Sequence, residues 1–238
     1  MTSRAEARED FRRRLLAAAH HRLATDGAAG LAMRVLARDL AVTPGALYRY
    51  VRSRDELLTL LVTEAYTSLG DAVAGAEADV PGEDVEARWV AAWLAARTWA
   101  RAHPHEYALI YGTPVAGYRA PEDTIGPGTR LNLILARIAA DLPAGEERRR
   151  EAPLTDELAA DVQRIRAWLT EQSVAVPHVP DEAILAVAGG LSTLVGAIGL
   201  ELFGHFKGAF EDARAFLEDA ARRSFADIRR AMGRGHML

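Results

Sequence analysis

Thr43, Gly45, Tyr48 and Arg49 lie within one short stretch and offer a hydroxyl, a bare backbone, a phenol and a guanidinium. Such groups donate hydrogen bonds to phosphate oxygens, and a guanidinium can also read a guanine edge. The order Thr43-Pro-Gly-Ala-Leu-Tyr-Arg-Tyr-Val51 predicts a brief helix that presents them. Thr43 is a good N-cap, because its hydroxyl can accept a bond from an orphan amide of the first turn. Pro44 suits the first helical position, where its missing N–H costs nothing. Leu47 and Val51 are four apart and face inward together. Tyr48 and Arg49 leave on the other side. Gly45 and Ala46 are small enough for the backbone to approach a partner surface.

The flanking residues supply the elements that must hold this stretch. Ala32 to Leu40 reads as a helix, with Met33, Leu36 and Leu40 at three- and four-residue spacing. The linker Ala41-Val42 leaves room only for a tight turn. Two short helices so joined form a helix-turn-helix, whose second helix commonly lies in the major groove of DNA. Ser53 caps a further helix that opens Arg54-Asp55-Glu56, with acids suited to the positive end of its dipole.

The run from Gly30 to Leu58 resembles the DNA-binding domain of TetR-family transcriptional regulators. Leu36-Ala37, Val42-Thr43, Ala46-Leu47-Tyr48 and the restart from Ser53 to Leu57 fall in register with it. The resemblance covers about the first quarter of the chain. Ala32 stands where the family usually has Ser or Thr, so a helix cap and a phosphate contact are missing. Ala41 replaces the usual turn glycine, and Tyr50 and Val51 replace the more usual His and Phe. The resemblance implies that Thr43, Pro44, Gly45, Tyr48, Arg49 and Tyr50 face double-stranded DNA. Thr43 and Tyr48 would contact phosphate, and Arg49 either phosphate or a guanine. Arg54 with the start of its helix would hold another phosphate, and Arg34 is a further candidate. It also implies a homodimer on a palindromic operator. A repressor is expected, released when a small apolar or amphipathic effector shifts the helix that begins at Arg54. The alternative is an all-α ligand-binding or enzymatic protein in which the helix-turn-helix is architectural.

Composition agrees with a nucleic-acid partner. The chain has 238 residues, no cysteine and a net charge of −4. Residues 1–54 hold 11 Arg against 5 Asp and Glu, a net +6, so the remainder carries −10. A basic module on an acidic body is the layout of a nucleic-acid binder with a separate regulatory domain. Without cysteine there is no disulfide framework and no thiolate chemistry. The charged N-terminus lacks the apolar core of a secretory signal, and a cytoplasmic location is expected.

Helical periodicity runs the length of the chain, and no stretch alternates with a period of two, so the expected fold class is all-α. A three-helix domain over residues 1–60 should be joined by a continuous helix to a larger helical domain over 61–238. Residues 1–10 are expected to fray before a first helix from about Asp10 to Thr25, whose Phe11, Leu15, Ala19 and Leu23 face inward. Arg12, Arg13 and Arg14 read as a solvated face or as phosphate contacts. The helix from Arg54 should reach about Ala76. Helices are expected at Glu83–Ala102, Thr129–Leu142, Asp156–Gln172, Asp181–His205 and Glu211–Met232, with at most a short one at Glu106–Tyr111. Residues 112–121 read as an ordered loop anchored by Val115 and Tyr118. Pro143 to Pro153, with Arg148, Arg149 and Arg150, reads as a flexible surface loop.

Two stretches carry further expectations. Ala183 to Leu200 has no charge and reaches the lower length bound for a membrane span. Its four glycines, with Ser192 and Thr193, favour instead a helix buried in its own core on one side and in a partner on the other. Ala186, Gly190, Thr193 and Ala197 would allow close approach, and with Leu194, Phe216 and Ala220 form the expected dimer interface. Trp89, Trp93, Trp99, Tyr107, Tyr111 and Tyr118 make up 6 of the 16 aromatic residues. They read either as core packing or as an apolar ligand pocket. No metal or cofactor is expected. His103 and His105 lack a second cluster, and no nucleophile elbow or phosphate-cradling glycine loop is present.

Overall fold

The computed structural model of the protein describes residues 4–143, 145 and 154–233. Among these, ten α-helices form and no strand. They are α1 (Arg4–Asp26), α2 (Met33–Asp39), α3 (Pro44–Leu47), α4 (Arg54–Ala78), α5 (Val85–Ala102), α6 (Pro104–Tyr111), α7 (Ile125–Ala140), α8 (Asp156–Glu171), α9 (Asp181–Leu202) and α10 (Ala213–Ala231). The loop expected around Arg148, Arg149 and Arg150 lies outside the described residues.

Helix α1 starts at Arg4 rather than near Asp10. Ala, Glu and Arg are strong helix formers, and Glu6 lies in the first turn. Helix α9 stops at Leu202 rather than His205. Gly204 takes a left-handed φ of 82°, the His205 N–H donates to the Leu200 carbonyl at 2.9 Å, and the Gly204 N–H donates to that of Glu201 at 3.1 Å. That pair of bonds closes a helix with a Schellman cap.

The chain divides into two compact units, and the first division falls inside α4, between Ser68 and Leu69. The first unit joins the N-terminal helices to Ala102–Gly128. Its core is the inward stripe of α1 (Phe11, Leu15, Ala19, Leu23) closed by Leu36, Leu47, Val51, Leu57 and Leu61. Leu109, Val115 and Tyr118 pack on this core, so the 112–121 loop is anchored as its residues suggest. The Tyr118 phenol pairs with the Thr59 hydroxyl at 3.0 Å, and the Tyr66 O–H donates to the Ile110 carbonyl at 3.3 Å.

His20 ties three helices of this unit. Its Nε2 lies 3.1 Å from Glu64 on α4, and its Nδ1 lies 3.1 Å from Glu106 on α6. The bond to Glu106 raises the imidazole above its ordinary pKa, reinforced by Glu64 and opposed by burial. His20 in turn holds Glu106 below the usual carboxylate range.

The second unit is built on the antiparallel partnership of α9 and α10. Leu217, Ala221, Phe225 and Ile228 of α10 are buried, as are Trp89 and Trp93 of α5. Gly190 permits the close approach of these helices, because a Cβ there would stand 2.5 Å from the Ser224 hydroxyl and 3.0 Å from the Trp89 ring. Arg97, buried on α5, donates to both oxygens of Glu201 on α9, at 2.7 and 2.6 Å. Removing one partner of such a pair would strand a charge away from water.

The His20 clamp gives a pH dependence of definite sign. A group whose folded pKa is raised contributes stability below its unfolded value, near pH 6.5, and loses that contribution as pH climbs through the folded value. Denaturation of wild type and His20→Gln should therefore differ most just below pH 6.5, while the Glu106 carboxylate is still ionised, and converge in alkaline solution. A gap that widens with rising pH would contradict the clamp.

Candidate nucleic-acid interface

The surface that could meet DNA begins with a short rigid turn. Thr43 is extended (φ −74°, ψ 150°), and its hydroxyl accepts from the Ala46 N–H at 3.2 Å, capping α3 as its type predicts. Pro44 occupies the first turn, and Leu47 and Val51 are fully buried. Past Leu47 the coil tightens. The Tyr50 N–H donates to the Leu47 carbonyl at 2.9 Å, and the Val51 N–H shares that acceptor at 3.2 Å. Ala41 makes the preceding turn with a left-handed φ of 55°, a conformation that costs a residue with a Cβ about 1 kcal/mol.

Six of the eight candidate DNA residues stay on the surface. Arg34, Thr43, Pro44, Gly45, Tyr48 and Arg49 are exposed, with Tyr48 at 47%. A Cβ built on Gly45 would meet nothing within 4 Å, so its backbone is open to a close partner. Neither Arg34 nor Arg49 forms an ion pair with a described residue. The other two residues also make contacts within the domain. Tyr50 is half-buried and stacks on Phe11 with ring centroids 4.0 Å apart. Arg54 is half-buried, and its guanidinium donates to the Ala28 carbonyl at 2.8 Å. Spacing in the sequence does not reveal either contact.

The neighbouring helices are fixed by polar contacts of their own. The Arg22 guanidinium donates to both oxygens of Asp39 at 2.7 and 2.9 Å, joining α1 to α2. Ser53 accepts from the Glu56 N–H at 3.0 Å, and Glu56 reaches back to the Arg52 N–H at 2.5 Å. The Ser-x-x-Glu spacing signals the Ser53 half of this cap, and Glu56 reaches one residue beyond the N-cap amide. By contrast Ala32, at the N-cap of α2, supplies no side-chain bond.

The six aromatic residues grouped by sequence divide between the two units. Trp89, Trp93 and Trp99 are buried in the second, where Trp89 packs on Phe225 at 6.5 Å. Tyr107, Tyr111 and Tyr118 belong to the first, with Tyr107 and Tyr111 in contact at 5.2 Å. Burial pushes the Tyr111 phenol well above its ordinary pKa. A cavity does occur in the second unit, but none of these six lines it. Its walls come from α7, α8 and α9, and its aromatic residue is Trp168. Of the residues expected between two copies, Gly190, Leu194, Ala197 and Ala220 are buried within the chain. Ala186 and Phe216 are half-buried, and Thr193 is exposed.

Comparison with known proteins gives these features a context. Residues 15–61 match the model of bacterial regulatory proteins of the tetR family, and residues 89–224 match the tetracyclin repressor-like C-terminal domain. The chain is 38% identical over 208 residues to the HTH-type transcriptional regulator Rv1816 of Mycobacterium tuberculosis, covering 85% of each chain. It is equally similar to the HTH-type transcriptional regulator Mb1846 of Mycobacterium bovis. The crystal structure of SCO4313, named a regulatory protein, superposes with a TM-score of 0.74 at 30% identity. That match covers 94% of this chain and 100% of the other.

The uncapped start of α2 yields a direct test. Ala32→Thr should supply the missing acceptor and stabilise the protein by about 1 kcal/mol in chemical denaturation. No gain would mean that the backbone at Ala32 cannot aim a side chain at the first turn.

Proposed function

This chain belongs to the TetR family of bacterial transcriptional regulators, and on that premise we propose that it binds a palindromic DNA site as a homodimer, as a repressor released by a small apolar or amphipathic ligand. The observation that carries the DNA contact is the set Arg34, Thr43, Gly45, Tyr48 and Arg49, exposed on and beside a helix that is anchored from behind. The Thr43 hydroxyl already accepts from the backbone, which leaves its proton to give to a phosphate. Tyr48 donates to a second phosphate, and Arg49 reaches either a phosphate or a guanine edge. Tyr50 and Arg54 act behind this surface as positioning residues. Residues 1–60 form the DNA-binding module, and 61–238 the ligand-binding and dimerisation body. The protein acts in the cytoplasm, beside its DNA.

The dimer reading rests on α9. An 18-residue stretch of the helix has a mean hydropathy of 2.0, yet only 33% of that stretch is buried within the chain. Gly189, Ser192, Thr193 and Gly196 form an exposed, uncharged ridge of small residues. An apolar helix with one face uncovered is stabilised when a partner covers it, and small residues let the partner come close. A second copy on this ridge would set two copies of α3 to read a palindrome.

Two experiments test these statements. With a duplex selected by the protein from a random pool, Arg49→Ala should weaken binding by about 1–3 kcal/mol if it reads a base. If it holds a phosphate instead, the salt slope should fall by about one. Tyr48→Phe should cost about 1 kcal/mol. Unchanged binding in both variants would move the interface elsewhere. In sedimentation, Gly196→Arg should convert a dimer to a monomer, and a dimer that persists would assign the contact to another face.

A further inference from the structure

Within the second unit a cavity of about 330 Å³ lies between α7, α8 and α9. We propose that it is a binding site for a neutral, elongated, mostly apolar molecule with one hydrogen-bonding group at one end. The inference deepens the ligand-responsive reading and rests on it for regulatory meaning alone, because binding can be measured on protein without DNA.

The chemistry of the walls fixes the ligand class. None of the lining side chains is charged. Apart from the Trp168 indole, the lining groups able to hydrogen-bond through a side chain are Thr129 and Asn132. These two are three residues apart on α7 and share one face, near the start of the helix. The lining continues along α7 to Ala139, a helical length of about 15 Å. Past Asn132 the walls are largely aliphatic, with Leu135 and Leu191 among them, and Trp168 adds an aromatic side chain. A charged ligand would give up its hydration for no counter-charge, whereas a neutral one buries apolar surface and keeps its polar end paired.

The cavity is also held open. Ala136, Ala139 and Ala188 leave space that larger side chains would fill. The loop after α8 supplies Val176 and Val179 to the lining and is pinned on both sides. The Arg166 guanidinium donates to the Val176 carbonyl at 2.5 Å, the Val179 carbonyl at 2.8 Å and the Asp181 carboxylate at 2.6 Å. The His178 ring meets the Ala140 carbonyl at 2.9 Å. A site built in advance costs a ligand less ordering than one that must form around it. Ile184, Val187 and Leu191 place α9 in the wall, so a bound molecule presses on the helix whose exposed ridge is proposed to meet the second copy.

The test compares two probes that share a skeleton. N-phenyl-1-naphthylamine is neutral and carries a single N–H. 8-Anilinonaphthalene-1-sulfonate adds a sulfonate to it. The neutral probe should brighten on saturable binding at one site per chain. The sulfonate should bind at least about ten-fold more weakly, because its charge finds no partner in the cavity. Ala136→Phe, confirmed folded by circular dichroism, should abolish binding. Asn132→Leu, at a half-buried position, should weaken the neutral probe several-fold and serves if the first variant does not fold. Equal binding of the two probes, no binding of the neutral one, or unchanged binding in a folded variant would overturn the proposal. So would loss of probe binding as the protein is concentrated, since a second copy would then be filling the cavity. Failure here with DNA binding intact would leave the regulator reading standing. Probe binding by a protein that ignores DNA would do the reverse.

Discussion

The surface proposed to face DNA depends on the burial of Leu47 and Val51. Helix α3 has four residues, far too few to be stable alone, since helix nucleation is costly and is recovered only over longer runs. Its conformation comes from outside itself. Two aliphatic side chains at zero exposure hold one face to the core of the first unit. The Thr43 cap fixes the start, the Phe11–Tyr50 stack fixes the far end, and the Arg54 bond to Ala28 anchors the chain beyond. Everything that could touch DNA is what this anchoring leaves outside. The exposed groups are thus held on a stiff support, which lowers the ordering cost of binding.

Helix α9 meets three environments at once. Gly190 turns toward α5 and α10, where it makes room for Trp89 and Ser224, and Leu194 is fully buried. Ile184, Val187 and Leu191 line the cavity, and Ser192, Thr193 and Gly196 face outward. Such a helix must be apolar or small nearly all round, which accounts for an uncharged stretch long enough to resemble a membrane span. Its glycines mark where another surface comes close rather than where the helix is weak.

Much of this was legible in the residues. The caps at Thr43 and Ser53, the inward stripe of α1 and the burial of Leu47 and Val51 follow from local spacing, and each is found where spacing places it. What the sequence left open depends on distant partners. Tyr50 and Arg54 carry the right chemistry for phosphate, and only Phe11 and Ala28, brought in by folding, reveal that each also makes a contact within the domain. The aromatic group from Trp89 to Tyr118 is compact in sequence but divided between the two units, because the chain passes from one to the other after Arg101. The cavity left almost no trace, since its walls are ordinary Leu, Val, Ile and Ala residues scattered from Thr129 to Leu191. Emptiness is a property of how side chains meet, and no local pattern records it.

The central claim is that the first unit reads DNA. The most direct measurement is binding of the purified protein to the DNA flanking its own gene, against a scrambled duplex, at about 50 mM and about 200 mM salt. The account predicts selective binding that falls steeply between the two concentrations, as Arg contacts to phosphate release counterions. Equal affinity for both duplexes that does not change with salt, or no binding to either at the lower concentration, would contradict it.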